Sequence, residues 1–176
     1  MPARKGRQQR NSKTNGEWKK ILRRESNGRF PQNSVLIPRG VRTIGKVYFS
    51  KNSVFVSTNF VVCSLSSYDD AVPMASWMST IFYQLVCEVS SKDQEGMRKM
   101  EVADILKTYI PNKDQITINT MDRIKKEIKN IKFVELKNPM VREIDKIWAE
   151  ELFGKDSTDI LEEAKRLLSY LTNKRN

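Results

Sequence analysis

The apolar positions of this chain follow two patterns, an extended one in residues 30–65 and a helical one after it. In the first region, β-branched and aromatic side chains recur with a strand-like period, which predicts strands at residues 35–37, 43–49 and 54–65. The third segment is apolar on both faces, so we expect it to be a central strand. Arg39-Gly40 supplies a turn after the first strand, because glycine tolerates a positive φ.

Helical spacing dominates the rest of the chain. Pro73, a residue suited to a first turn, opens a predicted helix through residue 91, and its apolar stripe is typical of a buried core. The other predicted elements are a loop at residues 68–70, a polar loop at 90–99, a strand at 109–111, a helix at 120–130, a helix from the Asn138-Pro139 cap to Gly154, and a last helix capped by Ser157. Residues 131–136 fit either a strand or a continuing helix.

Positive charge is concentrated at the start of the chain, whose formal net charge is +11. Residues 1–30 carry ten Lys and Arg against two Glu, whereas residues 31–176 carry 22 basic and 19 acidic residues. Residues 1–16 lack apolar periodicity, so we expect a leader that is disordered in isolation, and residues 17–24 fit a short helix. The leader is either a solvated tail or a basic arm that lies along phosphates.

The residue types exclude several kinds of chemistry. The chain has no histidine, which removes the commonest general base and the commonest zinc ligand. Its two cysteines, Cys63 and Cys87, lie in apolar runs and are expected to be buried thiols. No apolar run approaches the roughly 18 residues of a membrane span, and no secretory pattern is evident, so we expect a cytoplasmic protein without a membrane partner.

Residues 33–65 contain basic side chains and no acidic one. The four basic residues are Arg39, Arg42, Lys46 and Lys51. A β-hairpin with only positive charge is suited to a polyanion, and a basic leader beside it favours nucleic acid.

The order of the motifs resembles a known family. The segments that carry the likeness are VLIPRG at residues 35–40, TIGKV at 43–47, STNF at 57–60, IFYQL at 81–85, Gly96, and KMEVADILKTYIP at 99–111. Together they resemble the target recognition domain shared by specificity subunits of Type I restriction-modification systems and by Type IIG restriction-methylation proteins. The segments REIDKI and LFG near residues 142–154 also resemble the closing part of Type IIG chains, so the likeness covers residues 30–165.

The resemblance implies an α+β fold, in which a β-rich target recognition domain with a packed helix is followed by C-terminal helices. The implied division is a basic flexible leader at residues 1–29, a DNA target recognition domain at 30–116 and a helical partner-docking tail at 117–176. The six prolines are never adjacent, so the D/N/S-P-P-aromatic motif of an adenine methyltransferase is absent. The implied protein is a free-standing, non-catalytic specificity subunit that serves a separate adenine methyltransferase or nuclease chain. A methyltransferase partner would bind S-adenosylmethionine. The other implied arrangement is a half-subunit that dimerises.

Within this family interpretation, the positions expected to contact DNA are basic or small and polar. They are Arg39, Arg42, Thr43, Lys46, Lys51, Asn59, Lys92, Arg98 and Lys99. Arg39 and Arg42 are the first candidates for reading guanine, since arginine offers a two-pronged donor set. Lys46 and Lys51 suit phosphates, and Thr43 adds a short polar contact. Asn59 matches a family position or is a buried, hydrogen-bonded amide.

The basic residues of the 90–99 loop are expected to hold the duplex at a second place. These are Lys92, Arg98 and Lys99. Each basic side chain taken alone is also consistent with an ordinary solvated surface.

Two other functions fit parts of the sequence. A small metal-dependent endonuclease needs clustered carboxylates and a lysine, and Glu135-Leu136-Lys137 has the Glu-x-Lys form with Asp114 or Asp122 upstream. The same triplet form recurs at residues 127–129 and 163–165, as chance allows in a chain with 30% charged residues. A basic RNA-binding protein fits the leader but not the order of the motifs.

Overall fold

The structure is a computed structural model that describes residues 32–42, 47–54, 56–94, 96–129 and 140–175, leaving aside the side chains of residues 93, 94 and 175. The predicted leader with its short helix, the beginning of the second predicted strand, and residues 131–136 lie outside these ranges. The predicted Asn138-Pro139 cap lies outside them as well.

Two small antiparallel sheets form the strand-rich part of the described chain. The strands are β1 (Ser34–Pro38), β2 (Gly40–Val41), β3 (Tyr48–Ser50), β4 (Phe60–Ser64), β5 (Lys92–Gln94) and β6 (Met97–Lys99). The first sheet has the order β3-β1-β4 and the second has the order β2-β6-β5. In the first sheet Val35 lies opposite both Phe49 and Cys63.

The central strand of the first sheet is β1, and the expectation that residues 54–65 form the central strand is wrong. Val35 and Ile37 of β1 are buried in the core. The predicted long strand begins only at Phe60 because the residues before it form a turn. The Phe60 amide donates to the Ser57 carbonyl at 3.1 Å, and the Asn59 amide donates to the Ser57 hydroxyl at 3.1 Å. Small polar residues of this kind favour turns over strands.

Two predicted connections differ from those observed. Arg39 and Gly40 do not form a hairpin turn, because Gly40 joins the second sheet and lies opposite Lys99. The predicted polar loop at residues 90–99 is a hairpin formed by β5 and β6. Its turn contains Gly96 at φ 71°, a left-handed conformation that glycine adopts without a Cβ clash.

Within the described residues, two α-helices lie between β4 and β5, and four follow β6. They are α1 (Tyr68–Met78), α2 (Ile81–Ser90), α3 (Val102–Ile105), α4 (Ile118–Glu127), α5 (Glu143–Phe153) and α6 (Ser157–Arg175). The single helix predicted from Pro73 is two helices, because Thr80 caps α2 by accepting from the Tyr83 amide at 3.2 Å. The predicted loop at residues 68–70 is the first turn of α1, capped by Ser67.

The end of α5 agrees with the local sequence signal, whereas its start does not, because α5 begins at Glu143 and not after the predicted Asn138-Pro139 cap. The prediction that Gly154 ends a helix is confirmed, since α5 stops there and Gly154 has φ 55°. A single 3₁₀ turn, Gly154–Asp156, leads into α6. The predicted strand at residues 109–111 is not formed, because those residues have no regular secondary structure.

One apolar core joins the first sheet to the helices. Trp148 of α5 is fully buried, and its indole N–H donates to the Ser76 hydroxyl of α1 at 3.0 Å. Asp145 is also fully buried and accepts from the Ile81 amide at 2.7 Å and from the Arg142 amide at 2.8 Å. Burial raises the pKa of the Asp145 carboxyl, and the Arg142 charge opposes that rise.

The two cysteines are free thiols. Cys87 is buried and Cys63 is half-buried, and burial raises the pKa of both. No helix within the described ranges combines the length and the apolar character needed to cross a membrane.

Candidate nucleic-acid interface

A groove of about 500 Å³ lies where the two sheets meet. It is lined by Pro38, Arg39, Gly40, Asn59, Phe60, Met97 and Lys99. Asn59 and Lys99 are exposed, and Arg39 is half-buried. The groove therefore combines polar hydrogen-bonding groups that solvent reaches with apolar surface from the ends of the strands.

The backbone of Arg39 connects the two sheets and fixes the shape of the groove. Its amide donates to the Asn59 carbonyl at 2.8 Å, and its carbonyl accepts from the Met100 amide at 2.8 Å. These two bonds hold the start of β4 and the end of β6 against the same residue. Asn59 and Lys99 are thereby brought beside Arg39, although they are distant from it in sequence.

A carboxylate lies between the two cations of the groove. The Arg39 guanidinium donates through Nη1 to Oε2 of Glu101, and Nζ of Lys99 lies 3.8 Å from Oε1 of the same side chain. All three side chains are partly exposed, at 37% for Arg39, 46% for Glu101 and 45% for Lys99. The cluster keeps one net positive charge and is open to an approaching ligand.

Gly40 makes room for the side chain of Met97 at the groove. A Cβ on residue 40 would lie 2.8 Å from the sulfur of Met97, closer than real Cβ contacts. The absence of a side chain at Gly40 therefore leaves Met97 in the groove lining.

Neighbouring basic residues of β6 face opposite ways. Lys99 is exposed in the groove, and Lys92, its register partner on β5, is also exposed. Arg98 points to the interior, where its side chain is 3% exposed. Successive side chains of a strand alternate between faces, which accounts for the difference.

The guanidinium of Arg98 is occupied by protein partners. It lies 3.1 Å from the carboxylate of Glu88 and donates to the carbonyl and the side-chain oxygen of Gln84 at 3.3 and 3.1 Å. These groups belong to α2, so Arg98 ties β6 to that helix. The sequence predicted a DNA contact for Arg98, but its side chain is buried and paired, so we do not propose it as a DNA-contacting residue.

Lys51 lies at the other end of the first sheet. Its carbonyl accepts from the Asn33 amide at 3.4 Å, and its ammonium lies 5.2 Å from the centre of the Tyr68 ring. Asn33 and Arg39 are separated by the length of β1, about 20 Å at 3.3 Å per residue. Lys51 is consequently distant from the groove, whereas the exposed Arg42 follows β2 directly.

Thr43 and Lys46, two of the predicted contacts, lie outside the described residues. Asn59 is exposed and lines the groove, so its alternative assignment as a buried amide is wrong. Sequence reasoning missed Glu101, which pairs with Arg39 from 62 residues away. No local pattern indicates such a pairing, whereas the alternation along β6 predicts the inward side chain of Arg98 once the hairpin is recognised.

Only some of the residues expected of an endonuclease lie within the described ranges. Glu135-Leu136-Lys137 lies outside the described ranges, and Asp114 and Asp122 are exposed. Within the described part of the chain, no three His, Cys, Asp or Glu side chains are grouped so that they could hold a metal ion. The endonuclease alternative stays a prediction.

The fold and the groove define a class: a small α+β domain with a basic, partly apolar groove between two short sheets. A sequence model described as the specificity domain of restriction endonuclease BpuSI matches residues 1–141. This match covers most of the chain, and the chain belongs to that family of specificity domains.

A solved structure has the same fold. The type IIG restriction endonuclease BpuSI superposes with a TM-score of 0.82 and 33% sequence identity. The match covers 93% of this chain and 19% of the BpuSI chain. A comparison with curated protein sequences finds no match.

Proposed function

We propose that this chain recognises a sequence in double-stranded DNA as the specificity part of a restriction-modification system. The observation that carries the proposal is the groove in which Arg39, Asn59 and Lys99 meet. Membership in the BpuSI specificity-domain family supports the same function.

The side chains of the groove suit the two tasks of a DNA-binding surface. Arginine can bind guanine O6 and N7 with two donors, and asparagine can bind adenine N6 and N7 in the same way. Arg39 and Asn59 are therefore the proposed base-reading residues, with Arg42 beside them. Lys92 and Lys99 carry point charges, which suit phosphates and fix the register of the protein on the duplex.

The chemistry belongs to a separate chain in this proposal. An adenine methyltransferase or nuclease partner would bind S-adenosylmethionine or metal itself, and the specificity chain would hold it at a fixed offset from the recognised bases. Exposed apolar side chains of the last two helices support such docking. They are Leu152, Phe153, Leu167 and Tyr170. A second copy of this chain, bound as the other half of a recognition subunit, would use the same surface.

The proposal is tested by selecting bound duplexes from a randomised pool with the purified full chain. We expect a preferred sequence, and we expect Arg39→Ala combined with Arg42→Ala to lose that preference while non-specific binding persists. Gel-shift titrations with the selected duplex and a scrambled duplex measure both affinities.

A matched control removes the same charge far from the groove. Lys155→Ala combined with Lys174→Ala changes two exposed lysines near the end of the chain. It should keep the sequence preference of the unmodified chain. Equal loss of preference in both double variants, or no loss in either, would contradict the role proposed for the groove.

A further inference from the structure

We propose that Glu101 is a positioning residue for DNA recognition, which orients the guanidinium of Arg39 so that it contacts a base edge and not a phosphate. The inference rests on the proposed function and extends it to a residue of opposite charge. A carboxylate beside a groove proposed to bind DNA requires an explanation, because it repels phosphates.

Hydrogen bonds fix the backbone on which the Glu101 side chain reaches Arg39. The Glu101 amide donates to Oδ2 of Asp104 at 3.0 Å, which anchors the residue at the start of α3. The preceding amide, that of Met100, donates to the carbonyl of Arg39 at 2.8 Å. The carboxylate is thus held directly beside the arginine that it binds.

Stability alone does not account for this pair. Arg39 and Glu101 are both partly exposed, and ion pairs between exposed side chains contribute little to the free energy of unfolding. The pair does restrict a long, flexible side chain. A guanidinium has five N–H donors, so one bond to Glu101 leaves enough donors for a two-pronged contact with guanine.

The charge of Glu101 affects specific and non-specific complexes with DNA alike. It lies between Arg39 and Lys99, and it lowers the local attraction for phosphates. Non-specific complexes depend mainly on phosphate contacts, whereas a specific complex also gains base contacts. This charge therefore weakens both complexes, and only the orientation of Arg39 by Glu101 changes the ratio of their affinities.

The test compares the affinity ratio between a selected duplex and a scrambled duplex in variants of the full chain. Relative to the unmodified chain, Glu101→Ala should lower this ratio about fivefold, since a two-pronged arginine contact supplies at least about fivefold discrimination. Glu101→Gln keeps an acceptor oxygen without the charge, and its affinity ratio should lie between those of the unmodified chain and Glu101→Ala. Glu163→Gln removes an exposed carboxylate charge on α6 and should leave the ratio unchanged.

A second comparison shows whether Glu101 acts through Arg39. In a chain that already carries Arg39→Ala, adding Glu101→Ala should not change the ratio further. Thermal melting of each variant checks that the fold is retained. If Glu101 had only a structural role, its substitution would lower the affinities for the selected and the scrambled duplex together.

The outcomes separate the two hypotheses. If the unmodified chain selects a sequence and Glu101→Ala keeps the ratio, or lowers it equally with and without Arg39, the role of Glu101 is refuted and the proposed function stands. If the unmodified chain selects no sequence, both are refuted.

Discussion

The groove and the helical core use polar side chains in opposite ways. In the groove, Arg39 and Lys99 share one carboxylate and stay partly exposed. In the core, Asp145 is fully buried, and its carboxylate accepts from two backbone amides and from the Arg142 side chain. Groups saturated by the protein hold the fold together, whereas groups left partly open are available to a ligand.

The strand β6 contains both kinds of side chain in successive positions. Arg98 is bound to Glu88 and Gln84 of α2, while Lys99 lies in the groove. Residue type alone therefore does not indicate which basic side chain is open to a ligand. The direction set by strand alternation does, and substitutions in the two regions should have separable effects.

The largest effect is expected in the core. Trp148→Ala removes a fully buried indole that packs 5.4 Å from the Trp77 ring and donates to Ser76. We expect the free energy of unfolding to fall by about 4 kcal/mol. Denaturant unfolding measures the loss. DNA affinity per folded molecule should not change, and a specific loss of sequence preference would break the separation between the two regions.

The next effect is expected behind the groove. Glu88→Ala leaves the guanidinium of Arg98 without its buried charge partner, the two side chains being 5% and 3% exposed. The free energy of unfolding should fall by about 3 kcal/mol. Glu163→Ala removes an exposed partner of Arg166 and serves as the control, with no measurable change in the urea midpoint expected. Equal midpoints for the two variants would contradict the structural role assigned to Arg98.

A smaller effect, on binding and not on stability, is expected from Lys99→Ala. Loss of one phosphate contact should weaken binding to every duplex severalfold and reduce the slope of log K against log salt by about 1. Fluorescence anisotropy titrations between low and physiological salt measure the slope. An unchanged slope would remove Lys99 from the interface.

The smallest effect concerns a surface pair at the start of α1. Hydrogen bonds from Lys113 and Ser67 hold the pKa of Asp70 below its ordinary value of 3.8. A lowered pKa stabilises the fold above the unfolded-state pKa, and this contribution disappears as pH falls through the folded-state value. Asp70→Asn should therefore be slightly less stable than the unmodified chain at pH 6, and the difference should be smaller at pH 3. Thermal melts at both values measure the difference, and a gap that widens in acid would contradict the assignment.

Local signals in the sequence predicted much of the helical part. Gly154 ends α5 because it reaches a positive φ, and the apolar stripe after Pro73 predicted buried residues such as Trp77 and Ile81. The β1 strand could also be predicted from the sequence, since its apolar residues precede a proline that ends it. The fold class and the family followed from the order of these motifs.

Long-range pairing set the limit of prediction. The backbone of Arg39 joins two sheets through Asn59 and Met100, and no local pattern encodes those partners. The hairpin of β5 and β6 was taken for a loop because its strands are only three residues long and polar. The inward direction of Arg98 was missed for the same reason, and Glu101 was missed because its partner is remote in sequence.

Amide chemical-shift mapping of the full chain with a selected duplex tests the central claim most directly. The account predicts that the largest changes cluster at residues 38–42, 59–60 and 97–101, with little change in α4, α5 and α6. Clustering of the changes on the lysine-rich α4, or no change at Arg39 and Lys99, would contradict the assignment of the groove as the DNA-reading surface.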